Sequence, residues 1–273
     1  MLYLSSCKKS DDDPEKCSLI KEVVELENGI RITYDFVYNE NSRLERTNIS
    51  QTNSSYEGYD SFIYNADNKL SKAASYSNGT KEEESTYTWE GNKVTIIFSY
   101  REDGIWVSSG LKNVFELNEK DQPIRRDYYF KNNDEWVLYS FETYSWENGN
   151  LKRKEGFGEA QQTARFNLSG NMLPVITKKR NIKDVNAGND FQRYFWSVYE
   201  YDDKPNIYAE MRSINVFNII KNNVTSEVLT WDADNTEERY IYKYEYNEDG
   251  YPKTLDYTDP DKTLKESYEY YCK

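Results

Sequence analysis

Tyr240-Ile241-Tyr242-Lys243-Tyr244-Glu245-Tyr246 is followed at once by Asn247-Glu248-Asp249-Gly250 and then by Tyr251-Pro252. Alternate side chains of an extended chain point to opposite faces. This stretch therefore sets four tyrosines on one face and Ile241, Lys243 and Glu245 on the other. A strict period of two reads as a half-buried strand. The Asn/Asp/Gly cluster supplies the positive φ that a tight hairpin turn needs, and a new strand opens behind it.

The same sentence recurs along the chain. Tyr34-Asp35-Phe36-Val37-Tyr38 runs into Asn39-Glu40-Asn41-Ser42 and then Leu44. Phe62-Ile63-Tyr64 runs into Asn65-Ala66-Asp67-Asn68 and then Leu70. Tyr87-Thr88-Trp89 precedes Glu90-Gly91-Asn92 and Val94, and Phe115-Glu116-Leu117 precedes Asn118-Glu119-Lys120-Asp121 and Pro123. Tyr144-Ser145-Trp146 precedes Glu147-Asn148-Gly149-Asn150 and Leu151, and Phe166-Asn167-Leu168 precedes Ser169-Gly170-Asn171 and Met172. The turns fall roughly 21–29 residues apart, a period of two strands and two connections. The expected fold is all-β: a long antiparallel β-meander of repeated hairpins, roughly 16–20 strands, in a strongly curved or barrel-like sheet, because open twisted sheets seldom exceed about ten strands. Closure also removes exposed edges.

One stretch breaks the rhythm, near residues 204–222, where Ile207, Met211 and Ile214 fall at helical spacing. A short helix or ordered loop is expected there, capping or plugging the sheet. The domain plan is a leader and tether over 1–17 and a single β-meander domain over 18–273.

Composition narrows the function. Leu, Ile, Val and Phe make only roughly a fifth of the chain, a level that with high charge would mean disorder. The 26 Tyr and 6 Trp among 273 residues offset this, since each buries a large ring while its polar tip finds a partner. The net charge of −13 and the pI near 4.7 argue against nucleic acid, whose phosphates need clustered Lys and Arg. Histidine is absent. That removes Ser-His-Asp and Cys-His nucleophiles and the usual zinc ligand sets. No C-x-x-C, phosphate-cradling or dinucleotide-binding glycine motif occurs, so no cofactor and no metal is expected.

The remaining chemical candidates have plain structural readings. Glu82-Glu83-Glu84 and Glu237-Glu238 offer carboxylates for glycosidase-like pairing, but read as solvated hairpin ends. Asp232-Ala233-Asp234-Asn235 and Asn247-Glu248-Asp249-Gly250 offer hard oxygens, but lack the twelve-residue calcium loop with its terminal Glu, so turn chemistry is preferred. The aromatic surplus admits two readings. Exposed rings make platforms for sugars or apolar peptide side chains, whereas cross-strand ladders stabilise a sheet by roughly 0.2–1 kcal/mol per pair.

Leu4-Ser5-Ser6-Cys7 resembles a lipobox, with small residues before a thiol that accepts lipid. The six residues before Cys7 are too few for a signal peptide's charged and apolar regions, so a longer precursor is expected. Lys8-Lys9-Ser10-Asp11-Asp12-Asp13 resembles the acidic tether that follows the lipid cysteine in surface lipoproteins of Bacteroidota. Cys7 is therefore the expected lipid attachment site, and the membrane is a partner through that anchor alone. Cys17 and Cys272 are left over. Outside the cytoplasm such thiols commonly pair, and a Cys17–Cys272 disulfide is expected over two unpaired thiols.

Tyr199-Glu200-Tyr201-Asp202-Asp203-Lys204-Pro205-Asn206, Lys221-Asn222-Asn223-Val224-Thr225, Tyr244-Glu245-Tyr246-Asn247-Glu248-Asp249-Gly250-Tyr251-Pro252 and Tyr268-Glu269-Tyr270 form an ordered series. It is similar to a Bacteroidota lipoprotein family of unknown function described as having a porin-like fold, itself reminiscent of tyrosine–aspartate (YD) repeat proteins. The resemblance covers about residues 190–272 well and the earlier hairpins loosely. It implies a tall curved antiparallel sheet and brings no catalytic residues. The expected role is a surface-exposed lipoprotein of the outer membrane with a non-enzymatic binding role, its partner a glycan or an extracellular protein. The alternatives are a periplasm-facing position, a structural or assembly component of the outer membrane, and, least favoured, a His-free carboxylate hydrolase. A membrane-spanning barrel is not expected, because Lys243 and Glu245 interrupt one face and phenols occupy the other.

Overall fold

The computed structural model describes residues 17–159, 191–206, 208, 220–260 and 263–272. Its strands are β1 (Cys17–Glu25), β2 (Arg31–Tyr38), β3 (Leu44–Gln51), β4 (Glu57–Tyr64), β5 (Leu70–Ser77), β6 (Thr80–Glu90), β7 (Lys93–Glu102) and β8 (Ile105–Leu117). They continue as β9 (Pro123–Asn132), β10 (Glu135–Glu147), β11 (Asn150–Glu159), β12 (Phe191–Pro205), β13 (Asn222–Trp231), β14 (Glu237–Tyr246), β15 (Pro252–Thr258) and β16 (Thr263–Cys272). Each pairs antiparallel with the next, and β16 pairs with β1, so the meander closes as a sixteen-stranded barrel.

Register decides which side chains share a face. Tyr240, Tyr242, Tyr244 and Tyr246 lie on one face of β14, whereas Arg239, Ile241, Lys243 and Glu245 lie on the other. The aromatic face is the lumen. Tyr208, from the connection between β12 and β13, packs against a cluster containing Leu19, Leu44, Leu255 and Tyr268. These residues sit on strands that are not its neighbours in the sheet, and only the barrel interior brings them together. A second inward cluster holds Val94, Ile96, Phe115 and Leu117 with Tyr87 and Trp89.

The repeat has a hydrogen-bonding reason. At one end of the barrel the turn asparagines Asn39, Asn65, Asn118 and Asn247 accept, through Oδ1, the backbone N–H groups two and four residues on. Such Asx turns close the hairpin locally. The aromatic that precedes the turn then reaches back one hairpin. Tyr38 Oη donates to the Leu19 carbonyl at 2.7 Å, Tyr64 Oη to Leu44 at 2.7 Å, and Trp89 Nε1 to Leu70 at 2.7 Å. Trp146 Nε1 donates to Pro123 at 2.6 Å and Tyr201 Oη to Leu151 at 2.6 Å. Register shifts next to these positions free the carbonyls from the ladder. An aromatic, an Asx turn and an opening hydrophobe thus form one structural unit.

Two expectations need correction. Lys204 and Pro205 belong to β12 and Asn222 to β13, and Pro205 pairs with Asn222, so strand geometry runs into both ends of the expected irregular segment. Ile207, Met211 and Ile214 lie outside the described residues, as do Cys7, the tether and the hairpin of Phe166–Met172. Glu82-Glu83-Glu84 is not a hairpin end but lies inside β6, where Glu84 pairs with Lys72 at 3.3 Å and Lys81 at 2.7 Å on the outer face. Like charges at consecutive positions are tolerated because the strand sends them to opposite faces.

Candidate functional site

Inside the barrel Glu22 on β1 and Glu266 on β16 project to the same side of the pair where the sheet closes. Tyr208 Oη donates to Glu22 Oε1 at 3.0 Å, and Tyr268 Oη donates to Glu266 Oε2. The carboxyls also hydrogen-bond each other. Burial and the Glu266 charge beside it push Glu22 up to about 8, and burial raises Glu266 as well. Two carboxylates in contact do not both ionise readily. Hydrogen bonds from Tyr268 and from Glu22 hold Glu266 down against its burial, so the pair as a whole retains a proton where an isolated carboxyl would have lost it. Burial, aided by these carboxylates, raises the phenol of Tyr34.

A second inward node is centred on Glu142 of β10, which accepts from Tyr128 at 2.7 Å and from Tyr144. Arg126, its register partner on β9, lies 4.3 Å from the Tyr128 ring centroid. It also donates to Asn113, turned so that its amide oxygen faces Arg126, at 2.7 Å. In β10, β14 and β16 a glutamate accepts from the tyrosine two residues on: Glu142 from Tyr144, Glu238 from Tyr240, Glu266 from Tyr268. That spacing is the sequence signal for the buried acids, and reading acids as turn residues missed it.

The outer wall carries different chemistry. On β8 to β12 the Lys112 ammonium stands 4.3 Å from the Tyr129 ring and 4.8 Å from Trp136. Arg125 lies 3.9 Å over Phe141, which stacks on Phe157 at 4.7 Å and meets Phe191 edge-on at 5.5 Å. Arg153 lies 4.7 Å over Trp196. Acids tie these cations down: Arg125 to Asp127 at 2.6 Å, Arg153 and Arg193 to Glu155 at 2.9 and 3.0 Å, and Arg193 to Asp232 at 2.7 Å. The rings are half-buried, so each offers an edge or part of a face outward.

The other expected positions are placed as follows. Cys17 faces Cys272 in register across β1 and β16, and Cys17 is disulfide-bonded. Asp234 Oδ1 accepts the Thr236 N–H and Asn247 caps its own turn, so both acidic loops are turn chemistry. Glu237 opens β14 and Glu238 faces inward, accepting from Trp231 Nε1 at 3.1 Å. Among the described residues no three His, Cys, Asp or Glu side chains converge as a metal site.

No protein-family model and no curated relative matches the sequence. Solved structures do match in shape. A porin-like protein from Bacteroides uniformis is similar over 93% of this chain and 98% of its own, with 15% identity and a TM-score of 0.53. A porin-like protein from Bacteroides vulgatus matches over 94% of this chain and 99% of its own, with 8% identity and a TM-score of 0.45. At these identities the likeness speaks for the fold, and the first of the two establishes it: this chain has a porin-like barrel.

Proposed function

We propose that the protein is a lipid-anchored outer-membrane protein that binds an extracellular glycan or protein and catalyses no reaction. The observation that carries the reading is the outward strip of Tyr129, Trp136, Phe141, Phe157 and Trp196 with its interleaved Arg and Lys. Aromatic faces flanked by paired charges suit sugar rings and peptide side chains, offering an apolar plane and directional polar groups together. Porin-like neighbours are compatible with an outer-membrane location. The outer wall bears ion pairs such as Lys265–Asp256 at 3.9 Å and Lys21–Glu269 at 3.6 Å. A lipid-facing charge costs about 2–4 kcal/mol at the bilayer midplane. That cost favours a barrel tethered through Cys7 over one that spans. A Cys17–Cys272 disulfide, consistent with their register, closes the chain in this reading. Binding to a glycan and extracellular-protein array, reduced by Trp136→Ala and Trp196→Ala in a folded barrel, is the expected result. Full binding by both variants refutes the strip as the contact surface.

The inward carboxyl pair favours a second reading, a His-free hydrolase. Its geometry speaks against it. Glycosidase carboxyls stand about 5 Å or more apart to admit substrate or water, whereas Glu22 and Glu266 touch and each is already hydrogen-bonded by a phenol. Turnover of any glycoside or peptide that Glu266→Gln abolishes would establish the enzyme instead.

A further inference from the structure

We propose that the outward faces of β16, β1 and β2, at the barrel end where β1 begins, rest on the lipid bilayer. Tyr271 is 56% exposed, Ile20 37% and Val37 42%. Register sets them near one another on adjacent strands: Ser18 faces Tyr271, Ile20 sits two positions on at the register shift, and Lys21 faces Asp35, two residues from Val37. Ile63, 54% exposed, adds a further outward side chain on β4 at the same end. Single exposed hydrophobes are ordinary on a protein surface, whereas neighbouring ones on adjacent strands mark a contact. The nearest bordering charges, Lys21 and Glu269, pair with each other at 3.6 Å, and Arg46 flanks Val37 across the β2–β3 ladder, so no acidic cluster among the described residues repels the patch from a lipid surface. That suits zwitterionic lipid, whereas the −13 net charge opposes approach to an anionic surface through charge alone.

The occupant follows from chain length. Ten residues lead from Cys7 to Cys17, where β1 starts, and ten residues span at most about 33–36 Å when fully extended. A lipid on Cys7 therefore attaches at this end of the barrel and keeps it within that reach of the headgroups. The inference rests on the lipid-anchor reading. The opposite end carries the β7–β8 hairpin, with Ile105 68% and Trp106 40% exposed, and serves as the internal control.

Hydroxyl-radical footprinting of the full, lipidated chain on phosphatidylethanolamine–phosphatidylcholine vesicles tests this. The reference is the Cys7→Ala chain free in solution. Oxidation of Ile20, Val37, Ile63 and Tyr271 should fall severalfold on vesicles, with Ile105 and Trp106 unchanged. The lipidated Ile20→Asp, Val37→Asp variant should still float with vesicles but regain solution-level labelling at Ile63 and Tyr271. Flotation with equal labelling at both ends overturns the docking proposal and leaves the anchor standing. Failure of the lipidated chain to float overturns both. Protection that depends on protein concentration and not on vesicles shows a second copy on this face, and likewise overturns it.

Discussion

Glu22 and Glu266 meet across β1 and β16, the one strand pair of the barrel that is not made of neighbours in sequence. Beside the β1–β16 ladder two buried carboxyls thus stand together, with Tyr208 donating to Glu22 and Tyr268 to Glu266.

That geometry gives the fold a pH dependence. Glu22 is raised from an ordinary value of 4.5 to about 8. A group whose folded value lies above its unfolded one favours the fold fully below the unfolded value and loses that contribution as pH rises through the folded one. Stability should therefore fall between about pH 4.5 and pH 8, by about 3–5 kcal/mol on this account. Glu22→Gln keeps an acceptor for Tyr208 and a donor for Glu266 but cannot ionise. Calorimetry should find the variant more stable than the parent at pH 8, with the gap closing toward pH 4.5. A gap that is constant with pH would sink the shared-proton account.

Gly156 faces Phe195 in register, and a Cβ there would collide with the Phe195 ring at Cε1. Phe195 is 3% exposed and pressed against Trp231, so it has little room to yield. Gly156→Ala should cost about 1–3 kcal/mol in urea unfolding, as overpacking does. Adding Phe195→Leu should recover part of the loss.

The back-reaching hydroxyls hold successive hairpins together. Tyr64→Phe removes the 2.7 Å donation to the Leu44 carbonyl while keeping the ring. It should lower stability by about 0.5–1.5 kcal/mol, more if the carbonyl is left dry. Chemical denaturation measures it directly.

A Cys17–Cys272 bridge closes nearly the whole chain, and in the loop-entropy model that contributes about 5–6 kcal/mol. Cys272→Ser should lower the unfolding midpoint under non-reducing conditions and make it indifferent to dithiothreitol. An unchanged midpoint would mean that the ladder alone holds the seam.

The strands were legible because the tyrosine face and the charged face alternate without a break, as in Tyr240–Tyr246, and because Asn39, Asn65, Asn118 and Asn247 announce their turns. Closure was legible only as a demand: so long a meander had to curl, and the sequence pattern does not reveal which strand β1 meets. The buried acids escaped. Glu142 and Glu266 sit among tyrosines at the inward positions of their strands, but a glutamate ordinarily marks the wet face, and what makes it acceptable inside is a phenol from the same strand. Glu22 was harder still, since its partners lie at the far end of the chain and in the β12–β13 connection. The outward aromatic strip depends on register between five strands, which hairpin spacing alone does not supply.

All but one of the sixteen strand pairings join neighbours in sequence. The chain is in effect a ring cut at a single place, and little in the ladder depends on where the cut falls. Linking the termini and reopening the backbone at Asn78-Gly79, a turn with both residues at positive φ, would preserve every hairpin but one. The natural cut has a distinct result, because β16 leaves the ribosome after the other fifteen strands of the ring. A prematurely ended chain leaves β1 as a bare edge, Glu22 without Glu266 and Cys17 without Cys272. Closure of the ring is thereby registered at one line on the barrel wall.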